Sequence, residues 1–368
     1  MLRFVLITLF LLCYHAVPAQ QTNANNAQKA LALAKQAIVL ADQNGDYVRA
    51  QQLMEEARKL DPRNLNLSYE IAYLYYKQKD YYLTIKEMKR VLGKTKTPDA
   101  RYYRLLGNAY DLNKQPAKAI NTYKEGIKRF PNAGQLYTEL GGMAYKEGDN
   151  DRAVEIWEQG IQNAPDFASN YYWAAKLFCY SSEKIWAVLY GELFLLLEPN
   201  TNRSTEMSAL LYKTYRESMM VNPNSSWQNW VSFSERARTY IMLGAAEEGE
   251  KTPFQVAVDD ASTRALQPQM KNKDIAAIYL LRLRFLEQWN LYQYNTLYPN
   301  LLFDWWQQVN NAGHMEAYTY YIFKNGNETE FEQWKQQNAL GFTRFMQWLS
   351  THAPQFNAKH RFYRLQYL

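Results

Sequence analysis

Few residues in this 368-residue chain carry reaction chemistry at a usable spacing. Asp259-Asp260 have the side chains of an acid/base pair, but adjacent carboxylates in a loop are ordinarily solvated, and the pair reads that way. His314, His352 and His360 fall at no helical ligand spacing. The chain has no HExxH, no paired-cysteine metal site, no GxSxG and no phosphate-cradling glycine loop. No catalytic residue, metal or cofactor is therefore assigned, and the chain reads as a non-enzyme. Cys179, inside the apolar stretch "YYWAAKLFCY", reads as a small buried hydrophobe rather than a reactive thiol. The abundant functional groups are instead tyrosine and tryptophan, 30 and 10 in number, which supply contact area and directed hydrogen bonds.

The elements that must position them announce themselves by a period. Residues 101 to 133, "RYYRLLGNAYDLNKQPAKAINTYKEGIKRFPNA", hold Tyr103, Leu106, Gly107, Tyr110, Ala119, Tyr123, Gly126 and Pro131. About 34 residues on, the pattern returns as Tyr137, Leu140, Gly141, Ala153, Trp157, Gly160 and Pro165. It recurs more loosely at 168–201, with Tyr171, Ala174, Ala175, Phe178, Ala187 and Pro199. Upstream, 65–99 supplies Ile71, Ala72, Tyr75, Met88 and Val91, and 31–64 supplies Ala37, Ala50, Met54, Ala57 and Pro62. Five units of two helices each follow: 31–64, 65–99, 100–133, 134–167 and 168–201, preceded by a linker at 20–30.

Each recurrent residue has a physical cause. Two helices of a hairpin approach closely only where one presents a small residue, the role of Gly107, Gly141, Ala72 and Ala175 on first helices and of Ala119 and Ala153 on second helices. Tyr103, Tyr110, Tyr123 and Trp157 are expected to fill the space between neighbouring hairpins. Asn44-Gly45-Asp46 and Glu147-Gly148-Asp149 each place a glycine to end one helix and an aspartate to cap the next. Pro116 opens a helix where its missing N–H costs nothing, and the prolines at 62, 131, 165 and 199 close second helices.

This combination of an aromatic, a Leu-Gly pair, a Tyr, an Ala, an aromatic, a small residue and a proline resembles the tetratricopeptide repeat. The first and fifth units depart from it, with Ile38 where the glycine belongs and Gly191 where the second helix should offer an aromatic. The resemblance implies an all-α solenoid whose stacked hairpins form a superhelix with a concave face. It implies that outward-facing positions of the first helices line that face: Lys35, Tyr69, Tyr73, Tyr76, Arg101, Arg104, Asn108, Asp111, Thr138, Tyr145, Tyr172, Lys176 and Tyr180. It implies, finally, a protein or peptide partner held by tyrosine contact area and by hydrogen bonds from Arg104 and Asn108. The competing reading is a face left solvated or covered by the chain's own C-terminal region. The family's clamp for a C-terminal carboxylate does not transfer, because Glu139 and Trp173 stand where an amide and a cation are needed.

After residue 201 the period is lost. "STEMSALLYKTYRESMM", "KDIAAIYLLRLRFLEQW", "YPNLLFDWWQQVNNA", "HMEAYTYYIFKNG" and "ETEFEQWKQQNALGFTRFMQWLS" read as helices of a domain at 202–368, while "NWVSFS" and "FQVAVDD" alternate as two short strands would. The tryptophans of this half, the Trp305-Trp306 pair among them, read as core in preference to sugar-stacking platforms. The basic, aromatic "NAKHRFYRLQYL" reads as a tail docked on the domain, ahead of surface or membrane contact.

Residues 1–19 read as a cleaved secretory signal: Arg3, the apolar "FVLITLFLL", then Val17-Pro18-Ala19 before Gln20. A lipid anchor on Cys13 is disfavoured by Leu12 immediately before it. The net charge of +6 is spread along the chain without a basic stripe, which argues against nucleic acid. Sequons at Asn66, Asn202, Asn224 and Asn327 are read as chance. The whole resembles the exported tetratricopeptide proteins of Bacteroidetes-type bacteria. The expectation is a periplasmic interaction module without a transmembrane segment, associated at most peripherally with the envelope. The alternatives are a glycan-binding accessory of outer-membrane uptake, using C-terminal aromatics, and an enzyme built in the C-terminal domain.

Overall fold

A computed structural model describes residues 24–222, 229–244, 251–266, 272–357 and 359–367. The signal peptide, Cys13, Gln20 and the Asn224 sequon lie outside the described residues. The chain divides into two compact units, one ending at Phe130 and the other beginning at Pro131. Among the described residues both are built of α-helices, with one two-residue antiparallel ribbon, β1 (Met219–Met220) and β2 (Trp230–Val231), in the second.

The first unit holds three helix hairpins. They are α1 (24–44) with α2 (Tyr47–Leu60), α3 (Leu65–Lys77) with α4 (Tyr81–Lys94), and α5 (Ala100–Leu112) with α6 (Pro116–Arg129). Residues 24–30, expected as linker, are the first turns of α1, because Ala30 continues the buried alanine row Ala34, Ala37 and Ala41. That row packs on Ala50, Met54 and Ala57, so four small side chains on one face do the work of a single glycine, and Ile38 turns outward. In the third hairpin Gly107 does that work: a Cβ there would fall on the Tyr123 ring.

The second unit opens with α7 (Gly134–Lys146) and α8 (Asn150–Asn163), followed by α9 (Ala168–Cys179) and α10 (Lys184–Leu197). Gly141 makes room for Trp157 as Gly107 does for Tyr123. Tyr123 and Trp157 therefore lie inside their own hairpins, not only between neighbours as the spacing suggests. The reason is geometric: an aromatic on the second helix points at the glycine directly across from it. Gly160 provides the next close approach, since Asn170 and Tyr137 occupy the space a side chain would need.

Helix ends follow the punctuation in the sequence. Gly45 and Gly148 take left-handed backbone angles of φ +64° and +82°, and Asp46 and Asp149 then accept from the backbone N–H groups of Arg49 and Arg152. Asp61, Phe130, Ala164 and Glu198, each just before a proline, share φ near −135° (−133°, −132°, −138° and −133°), outside the helical region that a following proline disfavours. The carbonyls of Pro131 and Pro165 accept from the Tyr137 and Tyr171 hydroxyls at 2.9 Å, fastening the turn before α7 and the turn before α9 to the helix that follows.

The packing continues one helix beyond the visible period. α11 (Asn202–Ser218) lies on α10 and α9 as α9 lies on α8 and α7, and Gly191, short of an aromatic by the repeat pattern, gives its space to Met207 and Leu211 of α11. α10 is apolar around its whole circumference and buried on nearly every residue, because further helices cover its outer side. The helices after α11 are α12 (Glu235–Leu243), α13 (Phe254–Ala265), α14 (Ile275–Leu291), α15 (Tyr294–Leu297), α16 (Leu301–Asn311), α17 (Met315–Phe323), α18 (Glu328–Gln337) and α19 (Ala339–His352). Two expectations are corrected here. "FQVAVDD" is helical, since Phe254, Ala257, Val258, Ala261 and Ala265 form one face against α14. The last long stretch is two helices, broken at Asn338.

At the centre of this region Glu192 is fully buried. It accepts from Trp306 Nε1 and the Tyr318 hydroxyl, both at 2.6 Å, and pairs with Arg282, itself 1% exposed and held between Trp306 and Phe323. The tail docks on the same unit, but on the repeat helices α8 and α10 as well as α13, whereas the sequence pattern points to the C-terminal domain. Phe362 is buried against Trp186 and Tyr190, Arg364 pairs with the buried Glu158 at 3.0 Å, and Tyr367 stacks on Phe254.

Neighbouring glycines on α7 test this packing. Gly141→Ala should cost about 1–3 kcal/mol by driving a methyl into Trp157. Gly142→Ala, where nothing lies within 4 Å of the new Cβ, should be neutral or stabilise by up to about 1 kcal/mol through helix propensity. Urea unfolding of the two variants measures both, and equal effects would refute the hairpin packing described.

Candidate functional site

The residues that the sequence marks as groove-lining separate into two groups. In the first unit Lys35, Tyr73 and Arg104 are exposed, and Tyr76 and Asp111 are half-buried. Three others are structural. Tyr69 is only 9% exposed and belongs to the core with Ala72, Met88 and Tyr102. Arg101 lies over the Tyr69 and Tyr102 rings, 4.7 and 5.5 Å from their centroids, and donates to Asn66. Asn108 accepts from the Tyr123 hydroxyl within its hairpin. The expectation that Tyr69 points outward is corrected: the next first helix brings Tyr102 against it, and burying two rings together gains more than exposing one.

In the second unit Thr138 donates to Asn170 at 2.7 Å, and Tyr172 is buried with its hydroxyl on Glu206 of α11. Tyr145, Lys176 and Tyr180, by contrast, meet around a concavity of about 490 Å³. Its floor is aromatic. Trp157 is buried, donates Nε1 to the Thr138 carbonyl at 3.3 Å, and is flanked by Tyr145 and Trp173 with ring centroids 6.3 and 6.2 Å away. Tyr145 and Tyr180 are 50% and 71% exposed. Asn150 and Asp151, in the first turn of α8, add a polar edge. Every described residue lining this cleft falls between 145 and 181, and the described part of the C-terminal region docks elsewhere, on α8 and α10 through Glu158 and Tyr190.

Lys176 is already engaged. Its ammonium lies 2.7 Å from Glu206 and 5.7 Å from the centroid of Trp173. The hydrogen bond to Glu206 raises the lysine pKa above its ordinary value, and the same contact holds the Glu206 carboxyl below the usual range. Sequence reasoning missed Trp173 and Glu206. Glu206 stands 34 residues after Tyr172, one further step of the repeat, and carrying the period past 201 would have reached it.

Asp259 and Asp260 are not solvated loop carboxylates. Asp260 holds Arg264 on α13. Asp259 is buried on the same helix and accepts from the Ser232 hydroxyl at 2.6 Å and the Phe233 N–H at 2.9 Å. Burial pushes its carboxyl up to about 7 in spite of those donors, and Glu183 adds to the rise. Cys179 is buried, as expected, and its thiol is pushed up to about 11. The described tryptophans at 289, 305, 306 and 334 are buried, which removes them as platforms for a sugar. No helix among the described residues is long and apolar enough to cross a membrane.

Two sequence patterns described as tetratricopeptide repeat match the chain, at residues 43–109 and 104–169. No curated protein matches it. Among solved structures it is similar to residues 41 to the end of MamA from Desulfovibrio magneticus RS-1, at 29% identity over 36% of this chain and 75% of that one, with a TM-score of 0.33. It is also similar to Pseudomonas aeruginosa pilF, at 21% identity over 49% and 82% with a TM-score of 0.40. The thermophilic tetratricopeptide protein TTC0263 of Thermus thermophilus gives 18%, 50%, 98% and 0.41 for the same measures. Superpositions this loose add nothing to the repeat matches.

The Asp259 carboxyl gives stability a pH dependence. Its folded pKa lies above the unfolded value near 4, so the folded state holds the extra proton between about pH 4 and 7. Its contribution to stability is complete below that window and is lost as pH rises through it. Urea midpoints of Asp259→Asn measured from pH 4 to 8 should fall less steeply than those of wild type. Parallel curves would show that Asp259 does not titrate there.

Proposed function

Since residues 43–169 belong to the tetratricopeptide-repeat family, a family of protein-interaction scaffolds, we propose that this chain holds an extended segment of a partner protein in the cleft beside α7 and α9, in the bacterial periplasm. The observation that carries the reading is the pair of exposed rings, Tyr145 and Tyr180, standing over the Trp157 floor in a cavity left open by the rest of the unit. Tyrosine gives large contact area for the loss of few rotatable bonds, and aromatic anchors carry most of the energy of protein interfaces. Tyr73 and Arg104, exposed on first helices of the other unit, offer the same kinds of contact. The periplasmic placement rests on the signal-like first 19 residues. Of the tryptophans that the glycan-binding alternative would use, Trp289, Trp305, Trp306 and Trp334 are buried, while Trp230 and Trp348 are half-buried.

A photo-crosslinking residue in place of Tyr180, in cells of the native host, tests both place and partner. Crosslinks should form to a small set of exported proteins and vanish in a Tyr145→Ala background. The Tyr145→Ala and Tyr180→Ala proteins should stay within about half a kcal/mol of wild type in stability, as exposed substitutions do, whereas Tyr69→Ala should lose on the order of 3 kcal/mol. Crosslinks unchanged by Tyr145→Ala would overturn the cleft as the binding surface. Crosslinks confined to cytosolic proteins would overturn the location.

A further inference from the structure

The chemistry of the cleft narrows what it can hold. Ring faces carry negative potential and attract cations, and this cleft presents four rings, those of Tyr145, Trp157, Trp173 and Tyr180. The edge of the cleft uses that property already, since the Lys176 ammonium sits 5.5 Å from the centroid of Tyr172 and 5.7 Å from that of Trp173. Glu206 neutralises that ammonium at 2.7 Å. The carboxylate on the edge is Asp151, in the first turn of α8, which is exposed and makes no hydrogen bond or ion pair among the described residues. The basic group whose field it feels, Arg364, is paired with Glu158 at 3.0 Å. A carboxylate with no partner beside open tyrosine faces is complementary to one positive charge. We infer that the cleft recognises a lysine or arginine side chain of an extended polypeptide, its aliphatic stem lying between Tyr145 and Tyr180 and its charged head reaching Asp151.

This rests on the reading of the cleft as a polypeptide site, and the test separates the two. The full mature chain is titrated into four fluorescent decapeptides of one uncharged sequence, acetylated and amidated, that differ only in a central arginine, lysine, norleucine or glutamate. The arginine and lysine peptides should bind about tenfold more tightly than the other two, a difference in the range of one desolvated cation–aromatic contact. Asp151→Asn should erase most of that preference while leaving norleucine binding in place, and Tyr180→Ala should weaken all four. If norleucine or glutamate binds as well as arginine, or if Asp151→Asn leaves the preference intact, the cation assignment is wrong and the polypeptide site stands. If no peptide binds, or if Tyr145→Ala and Tyr180→Ala change nothing, the polypeptide site fails and the assignment fails with it.

Discussion

The contact between Gly141 and Trp157 is the constraint on which the candidate site depends. Because α7 has no side chain at that point, the indole of α8 can lie against its backbone, close enough for Nε1 to reach the Thr138 carbonyl. An indole fixed at that depth can be flanked by Tyr145 on one side and Trp173 on the other, and this aromatic series is the floor of the cleft. Hairpin packing and the floor of the cleft thus share one side chain. The opposite arrangement holds at Gly107 and Tyr123, where the phenol hydroxyl turns to Asn108 and the position serves packing alone. A buried ring with its donor aimed at the facing helix backbone, flanked by rings that reach the cleft, can do both jobs. A ring whose polar end is bound to a neighbouring side chain does only one.

What could be read in the sequence was whatever depends on near neighbours. Helix ends were legible because a glycine at Gly148, an aspartate at Asp149 or a proline at Pro165 acts within a few residues, and the hairpins follow from the same local rules. Surface positions of first helices were legible only in part. Tyr145 and Tyr180 are exposed as the repeat register implies, but Tyr69 and Tyr172 are not, since each meets a partner from a later helix, Tyr102 and Glu206 respectively. Local spacing says which way a residue points and not what arrives to cover it. Asp259 shows the same limit: two adjacent aspartates look like a polar loop until α13 places one toward Ser232 and Phe233 and the other toward Arg264.

The region after residue 201 departs from the repeat because its core is organised around a charge. Glu192 accepts from an indole, a phenol and one nitrogen of a guanidinium at once, and the rings that surround Arg282 are brought by α11, α16 and α17. A buried ion pair of this kind contributes little net stability against well-packed hydrocarbon, but it penalises any arrangement that leaves one member alone. It therefore specifies which helices pack around α10. Such a demand is invisible to periodicity, since its members lie 90 to 126 residues apart in the chain.

The docking of Arg364 on Glu158 changes what kind of object the second unit is. In an array where each hairpin touches only its neighbours, stability is a sum of local terms, folding can start anywhere, and units can be gained or lost without penalty elsewhere. Glu158 is buried and takes its counter-charge from a residue 206 positions further along. Such long-range closure works against modularity: inserting or deleting a hairpin between them would move the carboxylate away from its cation. It also raises the mean sequence separation of native contacts, which slows folding relative to an open array. The hairpins of this unit inherit the geometry of a repeat but not its freedom to be counted out in any number.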